Sequence, residues 1–167
     1  MLHSIVLFAA ATALLFAAAH DVAVRTVPNL VPLIVAAVGL GSNALDGHFI
    51  SALFSGGAVF AGTWYCWRRG WIGGGDVKLL SACALLVPPA LVPELILCTA
   101  LAGGVLALCY VFLARLLPVE TTPRPAGLPR RVWRVERRRI HRGLSLPYAC
   151  AIVAGVSLTL ISPVPFG

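Results

Sequence analysis

Long apolar runs separated by short polar stretches make up nearly the whole chain. The six runs lie at about residues 4–19, 27–45, 49–67, 76–87, 93–116 and 144–161. Most positions within each run are apolar, so no run has the one-sided stripe of a helix that faces water on its other side. The pattern predicts an all-α fold, a polytopic membrane bundle of six transmembrane helices.

The fourth run is too short for a simple crossing. It begins at Asp76 or Val77 and ends at Val87, where Pro88-Pro89 interrupts it. About a dozen residues fall short of the roughly 20 that a helix needs to cross a bilayer. We expect this span to tilt, to extend past the prolines or to be partly re-entrant.

Composition favours a membrane protein over a soluble enzyme. Hydrophobic residues make up 59% of the 167 residues and charged residues 11%, against about a quarter charged in soluble domains. The net charge of +7 raises nucleic acid as a partner, but the basic residues fall between the apolar runs. That distribution indicates membrane topology instead. The five cysteines form no C-x-x-C pair, so neither a disulfide framework nor a metal site is expected.

The basic residues also predict the orientation. One lies between the first two runs, three lie between the third and fourth, and nine arginines lie at 115–142. The stretches at 41–48 and 87–93 contain no Lys or Arg. The positive-inside rule therefore places the three basic stretches in the cytoplasm, against anionic membrane lipids, and both termini outside.

We interpret the chain as a single membrane-embedded domain, 1–167, with a basic cytoplasmic loop at about 117–143. Two interpretations of this loop stay open. In the first, residues 130–142 form a basic amphipathic helix on the lipid headgroups. In the second, the loop is solvated and serves only to set the orientation of the protein in the membrane. The first run resembles a secretory signal at Ala17-Ala18-Ala19, but no Lys or Arg precedes it and Arg25 follows it, which favours a retained span.

Asp21 and Asp76 differ from the other acidic residues because both fall at predicted cytoplasmic ends of spans. Ionisable groups near the hydrocarbon are costly and are candidates for function. Asp21 has an alternative role in a surface ion pair with Arg25. Its predicted position follows the last turn of the first span, where a negative charge meets the negative end of the helix dipole. A functional requirement for the carboxylate would offset that cost, so this position favours a functional role for Asp21 over the ion pair.

Asp76 has a structural alternative as the N-cap of the fourth span. Three glycines, Gly73, Gly74 and Gly75, precede it. Glycine permits positive φ and the close approach of another chain, and one glycine suffices for a cap. The run therefore favours a site where a substrate backbone lies beside the carboxylate.

Two carboxylates that meet can hydrolyse an amide without a metal ion. Like charges a few ångströms apart do not both ionise easily, so the pair shares one proton. The ionised member takes a proton from water, while the protonated member polarises the carbonyl and later protonates the leaving amine. Until substrate binds, these roles belong to the pair and not to either residue.

Three stretches resemble the motifs of the type IV prepilin peptidases, which are membrane aspartyl proteases of the GxGD class. They are Asp21-Val-Ala-Val-Arg25-Thr-Val-Pro28-Asn29, Gly73-Gly74-Gly75-Asp76-Val-Lys78-Leu and Leu146-Pro147-Tyr148-Ala149. The likeness covers nearly the whole chain. It is greatest to the small peptidase-only members that serve Flp/Tad-type pili.

The resemblance implies that Asp21 and Asp76 are catalytic, at the cytoplasmic face of a bacterial inner membrane. It implies a prepilin or pseudopilin substrate with a short basic leader, cut just after the leader. Larger members carry an extra domain with C-x-x-C zinc motifs, which nothing here matches. Zinc, S-adenosylmethionine and methyl transfer are therefore not expected, and no other cofactor is implied. The oligomeric state stays open.

Supporting residues follow from the same resemblance. Pro28-Asn29 is expected to shape the turn into the second span and to hold the first aspartate in register, with Arg25 in the same motif. Lys78 either tunes the aspartate pair or meets lipid headgroups. Tyr148 either faces the cleft or is a buried aromatic side chain.

Two other functions remain open. A non-enzymatic, proton-coupled membrane carrier would use Asp21 and Asp76 as relays, although carriers place such groups near the bilayer midplane. A GxGD intramembrane protease of other specificity would use the same pair for different substrates.

Overall fold

A computed structural model describes residues 2–116 and 146–161, with side chains from residue 8 onward. Every regular element in these ranges is helical, which confirms the all-α prediction. The helices are α1 (Leu2–Val24), α2 (Leu30–Leu45), α3 (Phe49–Arg68), α4 (Gly74–Leu86), α5 (Val92–Leu116) and α6 (Tyr148–Ile161). A short 3-10 turn, Pro89–Leu91, joins α4 to α5.

Among the residues with described side chains, two helices are both long and apolar enough to cross a membrane by length and composition. They are α3, with a mean hydropathy of 1.3, and α5 with the turn before it, with a mean hydropathy of 2.3. Phe8–Val24, the part of α1 with described side chains, forms a shorter apolar stretch, as do α2 and α6. Six crossings and outside termini therefore stay predictions. The predicted basic loop at 117–143 lies outside the described residues.

The short fourth helix lies at the centre of the bundle. It packs against α2, α3 and α6, and eight of its 13 residues are buried. Beyond Lys78, which is exposed, most of the helix is apolar or small and buried, which suits a position enclosed by other helices. The predicted tilt or re-entry of this span stays a prediction.

Two prolines and one asparagine determine how α4 ends. Pro88 and Pro89 have no N–H, so they cannot donate to the carbonyls of Ala84 and Leu85 as the next helical turn would. The buried Asn43 side chain of α2 donates Nδ2–H to the Leu85 carbonyl at 3.0 Å. It thereby satisfies one of the carbonyls that the prolines leave open and joins α2 to α4.

Helix ends differ from the predicted boundaries by a few residues. α1 runs five residues further than predicted, to Val24, and ends where Arg25 takes a φ of 62°. α2 begins three residues later than predicted, at Leu30, because the residue before Pro28 is biased towards extended backbone. α4 begins two residues earlier, at Gly74.

Candidate active site

Asp21 lies in the last turn of α1, not after it as predicted, and it is buried, with 7% of its surface exposed. Its Oδ2 accepts the backbone N–H of Ala149 at 3.1 Å. Ala149 is the second residue of α6, so the carboxylate sits at the positive end of that helix dipole. This contact offsets the cost of a negative charge at the C-terminal end of α1.

Asp76 is the third residue of α4, and its position differs from the predicted one. Gly73 occupies the N-cap position, so the interpretation of Asp76 as the N-cap is wrong. The Asp76 carboxylate instead reaches back and accepts the Gly73 N–H at 3.3 Å. The first turn of α4 is therefore stabilised by an acidic side chain near its positive end.

Both carboxylates open into one cavity of about 340 Å³. Its walls come from the end of α1, the connection from α1 to α2, the start of α4 and the residues before α6. Eight of the ten predicted site residues line it: Asp21, Arg25, Asn29, Gly73, Gly74, Gly75, Asp76 and Lys78. The negative charge of Asp21 also repels the ionised form of the Asp76 carboxyl group. The arrangement suits two acidic groups that share a proton beside bound water.

Three cavity residues were not among the predicted ones. Thr26, Val27 and Leu146 line the cavity, although each lies inside a motif that the sequence identified. Two predicted residues, Pro28 and Tyr148, do not line it. The cavity is therefore lined by segments that contain the motifs, while the side chain that faces it depends on the local backbone.

The glycine run is close-packed. None of Gly73, Gly74 and Gly75 has positive φ, so these glycines do not use the left-handed backbone that glycine permits. A Cβ on Gly73 would lie 2.9 Å from Asp76 Oδ2, and one on Gly75 would lie 3.4 Å from Val27 Cβ. A Cβ on Gly74 would lie 3.4 Å from Nε1 of Trp67 in α3. The three glycines thus make room for side chains of this protein, and the close approach of a substrate backbone stays a prediction.

Arg25 connects the cavity to α5. Its NH2 group donates to the Tyr110 hydroxyl at 3.3 Å, and its guanidinium carbon lies 5.9 Å from the centroid of the Tyr110 ring. Tyr110 was not a predicted site residue. Its only signal in the sequence is a hydroxyl-bearing ring near the C-terminal end of an apolar run.

Lys78 and Asn29 form a second connection across the site. Lys78 Nζ in α4 donates to Asn29 Oδ1 at 2.9 Å, just before α2 begins. Asn29 makes no side-chain hydrogen bond as a cap of α2. The bond joins two of the sequence motifs. Lys78 therefore also has a structural role, in which it holds α4 to the segment before α2, beside the two roles that were predicted.

Tyr148 begins α6 and is partly buried. A Cβ on Gly103 of α5 would lie 2.8 Å from Tyr148 Cε2, so the ring rests on the α5 backbone. The Asp76 charge acts on the phenol, but the ring does not line the cavity. This placement favours the packing role over a direct contact with substrate.

No group of three or more His, Cys, Asp or Glu side chains that could hold a metal ion forms among the described residues. All five cysteines are free thiols, and Cys83 alone among them is buried. The absence of a metal or cofactor in the reaction remains a prediction.

Comparison with known proteins adds one finding. The model of the type IV leader peptidase family matches residues 8–108, more than half of the chain. The match includes both aspartates and the glycine run and ends before α6. No curated protein and no solved structure gives a significant match.

Proposed function

The chain belongs to the type IV leader peptidase family and is therefore a membrane protease, and from this premise we propose its mechanism and substrate. The protein is an aspartic endopeptidase of the GxGD type. It removes the short basic leader from type IV prepilins or pseudopilins, in particular those of the Flp/Tad type.

One observation carries the proposal. Asp21 at the end of α1 and Asp76 at the start of α4 open into the same cavity, although 55 positions separate them in the chain. Both are backed by amide donors, from Ala149 and Gly73 respectively. Two helix ends thus present two acidic groups to one water-accessible space, as general acid–base hydrolysis requires.

The reaction follows from a pair that holds one proton. The ionised carboxylate takes a proton from a water molecule as that water attacks the carbonyl carbon of the scissile peptide bond. The protonated carboxylate donates a hydrogen bond to the carbonyl oxygen, which gains negative charge. The C–N bond then breaks as the nitrogen receives a proton, which leaves a new carboxyl group and a new amine.

The membrane arrangement is part of the same proposal. Six spans with both termini outside place the cavity at the cytoplasmic face of a bacterial inner membrane. The support is the position of Arg25, Arg68, Arg69 and Lys78, which lie at the same end of the bundle as the aspartates. A short basic leader on the cytoplasmic side would reach the cavity from that face.

Cleavage of a synthetic prepilin by the purified protein tests the proposal. Asp21→Asn and Asp76→Asn should each lower kcat by at least about a hundredfold, because general acid–base catalysis contributes on that order. Asp46→Asn is the matched control, since Asp46 is an exposed acid that lies after α2, away from the cavity. Full activity in either cavity variant removes that residue from the catalytic pair.

The same assay separates the two rival functions. A proton-coupled carrier would not cleave the peptide, and in liposomes it would move protons in a manner that depends on both aspartates. A GxGD protease of other specificity would cleave unrelated membrane segments as well as the prepilin. Neither rival is favoured by a contact in the described residues.

A further inference from the structure

His20, which directly precedes Asp21, makes a hydrogen bond that the catalytic proposal does not use. Its ring Nδ1 lies 2.7 Å from the backbone carbonyl oxygen of Thr26. A carbonyl oxygen only accepts, so Nδ1 must carry the hydrogen. The bond spans six residues and closes the connection that leaves α1.

This connection, residues 25–29, begins in an unfavourable backbone conformation. Arg25 has a φ of 62°, and its N–H donates to the Asp21 carbonyl at 2.8 Å. For a residue with a side chain the left-handed region costs about 1–2 kcal/mol. Such a conformation persists only where surrounding contacts hold it, and the His20 bond to the next residue is one such contact.

The far side of the connection touches the segment that carries the second aspartate. Val27 packs against Gly75, where an added Cβ would lie 3.4 Å from Val27 Cβ. Asn29 accepts the hydrogen bond from Lys78 at 2.9 Å. Residues 25–29 thus contact the end of α1 on one side and the start of α4 on the other.

We propose that His20 is a positioning residue that sets the separation of the two aspartates. Its bond to Thr26 fixes the connection on α1, and the contacts of Val27 and Asn29 transmit that position to α4. His20 itself touches neither substrate nor the reacting atoms. This inference rests on the proposed function, since it assigns a further residue to the same reaction.

The surroundings of His20 suit a role in positioning more than one in the core. The ring is partly exposed and lies 5.8 Å from the Phe16 ring, tilted by 40°. Phe16, one turn earlier on α1, packs against the His20 ring. Removing the imidazole should therefore loosen the connection without creating a cavity in the bundle.

Two replacements of similar shape test the hydrogen bond. His20→Leu removes the donor, and His20→Asn keeps an N–H near the position of Nδ1. We expect His20→Leu to lower kcat about tenfold at unchanged KM, because a 1 Å misplacement of catalytic groups costs about a hundredfold and the loss of one hydrogen bond should displace them by less. His20→Asn should restore at least half of the wild-type kcat.

Hydrogen exchange gives a second readout that does not need activity. Peptides covering residues 22–31 should exchange faster in His20→Leu than in the wild type and in His20→Asn. His48→Leu is the control, because His48 is exposed and precedes α3 at the opposite end of the bundle. If His20→Leu yields no folded protein, His20→Ala carries the same expectation.

Three results would overturn the inference: wild-type kcat without the imidazole, an equal defect in the Leu and Asn variants, or a higher KM at unchanged kcat. Asp21→Asn in the same assay separates this failure from failure of the proposed function. If the wild type cleaves, Asp21→Asn does not and His20→Leu is unaffected, only the role of His20 is lost. If the wild type does not cleave, the proposed function is lost, and exchange alone decides whether His20 holds the connection.

Discussion

The two ends of α4 differ in what they contribute. At the C-terminal end the helix backbone packs directly against α2: a Cβ on Gly39 would lie 2.5 Å from the Leu85 carbonyl oxygen, and Asn43 donates to that same oxygen. At the N-terminal end Gly73 and Asp76 border an open cavity of about 340 Å³. One end is closed by backbone and buried side chains, and the other is open and charged.

The comparison separates stability from chemistry within one helix. At the closed end an added atom meets backbone, which cannot move without shifting α4. At the open end an added atom meets the end of a side chain, which can move, but that side chain is a proposed catalytic carboxylate. Changes at the first end should therefore unfold the protein, and changes at the second should impair catalysis in a folded protein.

The largest effect is expected at Gly39. Gly39→Val places new atoms against the Leu85 backbone, and overpacking of this kind costs about 3 kcal/mol. The purified variant should lose thermal stability in detergent, and activity should fall only with the folded fraction. Gly41→Val is the control, since a Cβ on Gly41 meets nothing within 4 Å. A Gly39→Val protein as stable as the control would contradict the close packing of this end.

A smaller loss of stability is expected at Asn43. Asn43→Leu removes the donor to Leu85 and leaves a buried carbonyl without that partner, which costs about 2 kcal/mol. Thermal unfolding in detergent measures the change, while kcat per folded molecule should stay the same. Ser55→Ala is a suitable comparison, because Ser55 bonds only within its own helix and its loss should be nearly neutral.

Gly73→Ala should lower kcat and leave thermal stability unchanged, which is the reverse of the effects expected at Gly39 and Asn43. The new Cβ would lie 2.9 Å from Asp76 Oδ2, so the carboxylate must shift. We expect about a tenfold fall in kcat, or roughly 1.4 kcal/mol in the activation barrier, with thermal stability unchanged. Gly57→Ala, at a position with open space, should leave both quantities unchanged. A stability loss without a fall in kcat would remove the distinction between the two ends.

The smallest effect is expected at Asn29. Asn29→Ala breaks the exposed hydrogen bond to Lys78, and we expect about a threefold fall in kcat, or roughly 0.7 kcal/mol in the activation barrier. Lys78→Met should have a similar effect, and the double variant should be no worse than either single one. Full additivity would mean that the two side chains act separately, and full cleavage by Asn29→Ala would remove the predicted role of this residue.

The helices could be predicted from the sequence because their signal is local. Each apolar run corresponds to one helix, and the prolines at 88 and 89 marked the end of α4 at the right place. The sequence also predicted that the fourth helix is short, but not that it is buried at the centre of the bundle. That burial depends on which helices surround α4, and no local pattern contains this information.

The segments that border the cavity were identified from the sequence, but the contacts between them were not. The aspartates and glycines were identified from their positions relative to the apolar runs. The Ala149 amide beside Asp21 and the Tyr110 hydroxyl beside Arg25 were not, because each lies on a helix distant in sequence. The His20 bond was missed for another reason: it depends on the left-handed turn at Arg25, which a sequence rarely signals outside glycine.

The amide of Ala149 has a consequence for how the chain can be divided. A fragment that stops at residue 116 contains both aspartates but lacks the backbone group that Asp21 accepts from. Such a fragment should be inert alone and should regain activity when α6 is supplied as a separate peptide in the same membrane. Split-protein complementation would then measure how much of the cleavage activity depends on α6, which carries neither aspartate.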